Sequence, residues 1–136
     1  MIVAFIEPDK YERTTETTAR LRDVIRNLVV NDGARVFLFA NAGFFDNDCY
    51  TIVSQLKAQH PYIERHYFHG GCDYDVGYVD WMANHYDKVH FPTKGVARPD
   101  YLRNSVMIDK CDTLVSHGAV SAVEYARRKQ KRVIIV

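Results

Sequence analysis

A chain of 136 residues, 47% apolar and 26% charged, has the length and composition of one globular domain with a sizeable core. Its 18 Lys and Arg balance 17 Asp and Glu, so no global field draws it to nucleic acid or anionic lipid. Cys49, Cys72 and Cys111 are odd in number and widely spaced, with no CxxC pair, which argues against a disulfide framework and fits a reducing, cytoplasmic setting.

The apolar start reaches only from Met1 to Ile6 before Glu7, too short for a signal-peptide core or a membrane span. Residues 2–6 (IVAFI) read as a buried strand. From Thr14 the spacing turns helical, with Leu21, Val24, Ile25, Leu28 and Val29 on one stripe and Asn-Asp-Gly at 31–33 closing the helix. Residues 35–40 (RVFLFA) are almost continuously apolar, as a strand covered on both faces must be. Cys49, Ile52, Val53 and Leu56 make the inner stripe of a second helix that stops before His60-Pro61. Residues 62–68 alternate in polarity and read as a third strand toward a sheet edge; 78–86 read as a short helix and 88–91 as a fourth strand. A helix over 99–111, a strand at 113–116, a helix over 118–129 and a strand at 132–136 complete the chain. No linker, internal repeat or low-complexity tract interrupts this order. Residues 1–136 therefore predict a single α/β domain, a three-layer Rossmann-like fold with a mostly parallel sheet of about six strands.

Ligands of such sheets bind beyond the carboxyl ends of the strands, where strand order reverses. After the second strand, ANAGFFD offers Asn41 and Gly43, which accept turn conformations most residues avoid. A helix beginning near Phe45 and Asp46 would then present N–H groups and its positive dipole end to an anion. HGAVSAVE repeats the arrangement after the fifth strand, where Gly118 permits close approach and Ser121 can donate to a phosphate. Turns of this kind also occur with no ligand.

The segment between these loops, RNSVMIDKCD, carries the remaining candidates. Arg103, near a helix start, can fork onto a phosphate or pair with Asp100 or Asp109. Asn104 can bond a loop or a ligand, or stand solvated. Met107 and Ile108 read as core, and Asp112 as a cap on backbone N–H groups. Glu124 is the carboxylate available for acid or base work near Arg103, and equally a helix-surface partner of Arg127 or Arg128.

Two further clusters read more plainly. His66, His69, Cys72, Asp73 and Asp75 are zinc-type donors, yet His66 and His69 leave opposite faces of a strand and no second His/Cys pair closes a site. A Gly-Gly turn is the simpler reading, and neither metal nor cofactor is expected. Tyr74, Tyr78 and Trp81 can stack a base, and Trp81 can equally be core or a dimer contact. Five basic residues in the six positions from Arg127 lie at a helix C-terminus, where cations complement the dipole, so they read as a solvated end and no nucleic-acid partner is expected.

Arg103-Asn104-x-x-Met107-x4-Asp112, followed by a strand, Gly118, Ser121 and Glu124, resembles the SLOG superfamily of Rossmann-like nucleotide-binding domains. Its phosphoribohydrolase members carry Arg-Lys-x-x-Met-x4-Asp, then Pro-Gly-Gly-x-Gly-Thr-x-x-Glu; the YpsA-like branch, with Arg-Asn before the Met, is the nearer match. This chain has IEPDKY where many YpsA-like chains have Gly-His-Arg, and His117 and Val120 where the hydrolases have glycines. The resemblance implies a nucleotide or ADP-ribose-like ligand at the strand carboxyl ends, held by Asn41, Gly43, Phe45, Asp46, Arg103, Asn104, Gly118 and Ser121. It implies a sensor or sequestering protein of bacterial or phage type, working as a homodimer or higher oligomer. If the hydrolase chemistry is retained, Arg103 and Glu124 would cleave the N-glycosidic bond of a nucleoside monophosphate. A non-catalytic protein-interaction module is the third expectation.

Overall fold

The computed structural model describes residues 1–70, 76–92 and 99–136. Six strands, β1 (Ile2–Ile6), β2 (Val36–Phe39), β3 (Glu64–Phe68), β4 (Lys88–His90), β5 (Thr113–Ser116) and β6 (Arg132–Ile135), form one sheet in the order β4-β3-β2-β1-β5-β6. Every pairing is parallel. Five helices alternate with them: α1 (Thr15–Val30), α2 (Phe44–Lys57), α3 (Val76–His85), α4 (Pro99–Lys110) and α5 (Val120–Arg128). The α/β class, the parallel sheet and its strand number are those the sequence predicts.

Alternation along the central strands builds two cores. Val3, Phe5, Phe37 and Phe39 pack toward Leu21 and Ile25 of α1 and Phe45, Ile52 and Val53 of α2. Their neighbours Ala4, Ile6, Leu38 and Ala40 pack toward Met107 and Ile108 of α4 and Ala122, Val123 and Ala126 of α5. A strand buried on both faces has no solvent side on which to place polar residues, which is why β2 reads VFLF without a break.

Local signals set the element ends. Thr14 caps α1, its Oγ1 accepting from the Thr17 N–H at 3.0 Å. Asn31 is the C-cap of α1, and Gly33, two residues beyond it, takes a φ of +72° as the chain turns toward β2. Asp112 accepts from the Ile2 N–H at 2.8 Å, tying the start of β5 to the start of β1. The basic segment after α5 is solvated and tied down: Lys131 donates to the Asp109 carbonyl and Arg132 to Asp32. Trp81 is half exposed and stacks near His85, while its neighbour Met82 supplies the core contact. Cys49 and Cys111 are buried free thiols.

The chain runs from β1 outward to β4, then returns to the other side of β1 for β5 and β6. Strand order therefore reverses between β1 and β5. No helix among the described residues is long and apolar enough to cross a membrane.

Candidate functional site

A crevice of about 140 Å³ lies at this reversal, lined by Ile6, Glu7, Asp9, Asn104 and the segment Ala119, Val120, Ser121 and Ala122. One wall is the chain leaving β1, another the start of α5, and Asn104 of α4 contributes the rest. An open parallel sheet creates this opening because the helices following β1 and β5 diverge to opposite faces.

The α5 wall is built by a tight turn. Buried Ser116 at the end of β5 accepts from the Ala119 N–H at 3.0 Å through its Oγ, and Gly118 takes φ +80° inside the turn. The first intrahelical bond runs from the Val123 N–H to the Ala119 carbonyl, and Ala119 offers no side-chain cap. The N–H groups of Val120, Ser121 and Ala122 thus precede the helical ladder and form the positive end of its dipole.

The α2 start is arranged differently. The sequence leaves its N–H groups open to an anion; in the structure the Glu7 carboxylate holds them, accepting from Phe45 and Asp46 at 3.2 and 2.8 Å. Gly43 makes this approach possible, since a Cβ there would stand 2.5 Å from Glu7 Oε1. Phe45 points into the core with no exposed surface, its ring edge-on to Tyr11. Asp46 is also fully buried, with Oδ2 accepting from the Ala40 N–H at 2.9 Å and Oδ1 lacking a hydrogen-bond partner. As arranged, neither side chain presents a surface to a ligand, because each closes the underside of the β2–α2 turn. Burial pushes the Asp46 carboxyl up to about 7, and the neighbouring Glu7 charge adds to it while the Ala40 N–H opposes. Asn41, at φ +52°, and Gly43 line a separate shallow depression with Ala42, Phe44 and Asn47.

Arg103 is nearly buried. Its Nε and Nη2 donate to Asn104 Oδ1 at 3.1 and 3.0 Å, and its Nη1 reaches Asp100 at 3.3 Å. A Cβ at Gly70 would stand 2.4 Å from Nη1, so the β3 exit has a glycine where the guanidinium lies. Asn104, not Arg103, forms the crevice wall. Glu124 is exposed on α5 and shares no hydrogen bond or ion pair with Arg103 among the described residues. The crevice thus unites Asn104 and Ser121 with the turn at Gly118; Asn41 and Gly43 stand apart, and Glu124 lies outside it.

Glu7 and Asp9 are the wall residues that sequence reasoning missed. Their signal was present, for they are the first charged residues beyond the first strand, but no motif singled them out. Cys72, Asp73, Tyr74 and Asp75 lie outside the described residues; of the same stretch, His69 turns to the α2 side of the sheet, 3.0 Å from the Tyr67 hydroxyl, and His66 to the other. No protein-family model matches the chain, and no curated protein matches it, so the chemistry of the crevice carries the functional reading.

Proposed function

We propose that the protein binds a nucleotide or ADP-ribose-like small molecule in the β1–β5 crevice, acting as a sensor or sequestering protein. The observation that carries this is the pairing of unlike walls at the strand-order reversal. The uncapped start of α5, with Ser121, offers N–H and O–H donors to a phosphate. Asp9 opposite offers a carboxylate acceptor, which suits a ribose hydroxyl, while the Glu7 carboxylate beside it is already held by the α2 N–H groups. Arg103 adds positive charge from behind Asn104. A sugar phosphate complements that polarity. At about 140 Å³ the crevice holds the sugar-phosphate end and leaves a base to lie across the opening.

The binding reading has more support than hydrolysis at Arg103 and Glu124, because Glu124 is not placed on the crevice wall. An open crevice also speaks against a fold retained only for protein contacts. A cytoplasmic homodimer belongs to the same proposal.

Thermal unfolding against adenine and guanine mononucleotides, NAD, ADP-ribose and its cyclic forms tests it. A ligand at a hundred times its dissociation constant adds about 2.7 kcal/mol, a rise of several degrees in Tm for a domain of this size. A stable rise with one ligand supports binding without turnover. A rise that decays as free base appears identifies a hydrolase, and no rise with any of them removes the proposal.

A further inference from the structure

A histidine pair lies on β3 and β4, away from the crevice. The two strands run parallel with His66 beside Lys88 and Phe68 beside His90. His66 Nδ1 stands 3.1 Å from His90 Nε2, with ring centroids 5.2 Å apart. Phe68 stacks on His90 at 4.4 Å and fixes its plane. The outer nitrogen of His66, Nε2, faces Glu64 Oε1 at 3.5 Å, and Lys88 Nζ reaches the same oxygen at 3.4 Å.

From this geometry we propose that His66 Nδ1 and His90 Nε2 form a two-histidine site for a late first-row divalent metal ion such as Cu(II), Ni(II) or Zn(II). Two nitrogens bound at zinc-like lengths lie about 3.3 Å apart across a tetrahedral angle and about 2.9 Å across a right angle. The observed separation falls between these, so both imidazoles reach one ion once each ring turns its nitrogen about 40° off the N···N line toward it. The pair is prearranged by the backbone register of two strands and by the Phe68 stack, which lowers the ordering cost of binding.

The proton inventory is consistent. With Nε2–H of His66 donating to Glu64, Nδ1 is the acceptor, and His90 supplies the proton between the rings from its Nε2. Metal entry displaces that proton; His90 takes it on Nδ1 through solvent, and both facing lone pairs turn to the ion. No net proton is released from two neutral rings. Glu64 is then the carboxylate that orients a ligating histidine from behind, the arrangement common around protein zinc. Among the described residues no third His, Cys, Asp or Glu joins the pair, so water or a small anion completes the coordination. Such a site is open, and its preference follows the general order that places copper above nickel and zinc.

The test uses the untagged full chain. Cu(II) electron paramagnetic resonance should show coupling to two imidazole nitrogens, and calorimetry with Ni(II) or Zn(II) should show one ion per chain. The ring signals of His66 and His90 should move together in an NMR titration with Zn(II), a readout on the wild-type protein that stands whether or not a variant folds. His66→Gln and His90→Gln should each weaken binding more than Glu64→Gln, which loses about tenfold through the outer hydrogen bond. Binding that survives in the double His66→Gln/His90→Gln protein would belong to His60, His69, His85, His117 or the thiols, and would overturn the assignment. So would coupling to one nitrogen, or no binding at millimolar ion.

Discussion

The carboxylate of Glu7, at the exit of β1, caps the helix that follows β2: it accepts from the backbone N–H groups of Phe45 and Asp46 at 3.2 and 2.8 Å. A side chain 38 residues earlier thus occupies the place a bound anion would take on α2. The consequence for function is direct. Of the two helix starts that the sequence offers to an anion, those of α2 and α5, only that of α5 has no side-chain cap.

Glu7→Ala should lower stability by about 1–2 kcal/mol, the usual cost of removing a helix cap. Glu7→Gln keeps one acceptor oxygen and sets an NH2 donor against the other N–H, so one of the two bonds survives without its charge and the loss should be smaller than for Ala. Urea unfolding of the three proteins checks the order wild type, Gln, Ala.

Asp46 makes stability depend on pH. The folded protein holds the Asp46 proton up to about pH 7, whereas an unfolded aspartate releases it near 3.8. Between those values the folded state binds more protons than the unfolded, so this group's stabilising contribution is complete below the lower value and is lost as pH rises through the upper. Asp46→Asn keeps an oxygen for the Ala40 N–H and cannot ionise. Its unfolding free energy should gain on the wild type from pH 5 to pH 8, by an amount on the order of a few kcal/mol. Chemical denaturation at both pH values measures the gain; parallel wild-type and Asn profiles would contradict it.

Arg103→Lys tests the two-point contact with Asn104. An ammonium cannot present the Nε and Nη2 hydrogens to one oxygen, so charge survives while the geometry is lost. A destabilisation of about 1 kcal/mol is expected from the lost hydrogen bond. Nucleotide affinity, if the crevice binds one, should fall with it because Asn104 forms part of the wall. The same thermal unfolding assay, run with and without the ligand that shifts the wild type, separates the two effects.

Gly118→Ala should cost about 1 kcal/mol or more although a Cβ there meets no atom within 4 Å. The penalty comes from φ +80°, which an L side chain resists. Glu124→Gln, by contrast, should stay within about 0.5 kcal/mol of wild type, as exposed substitutions do, and should leave ligand binding unchanged. Differential scanning calorimetry of both variants suffices.

The sequence by itself determined which segments are strands and helices. Short unbroken apolar runs rich in β-branched and aromatic residues, such as VFLF, suit a strand covered on both faces, and Leu21, Ile25 and Leu28 repeat at the helical interval. Stops such as Asn-Asp-Gly at 31–33 are local, so they are visible without neighbours. Met107, Ile108 and the capping Asp112 were legible for the same reason. The crevice itself was legible only in outline: alternating strands and helices say that ligands meet strand ends, and the Asn104–Ser121 side follows from that. What the tertiary structure alone decided is which charges meet across long stretches of chain. Glu7 on α2, Arg103 against Gly70, and His66 beside His90 each depend on a strand order that no local pattern encodes. Phe45 and Asp46 show the physical reason most clearly. A helix start looks open to an anion in sequence, and is closed once packing brings another carboxylate to its N–H groups and removes both side chains from water.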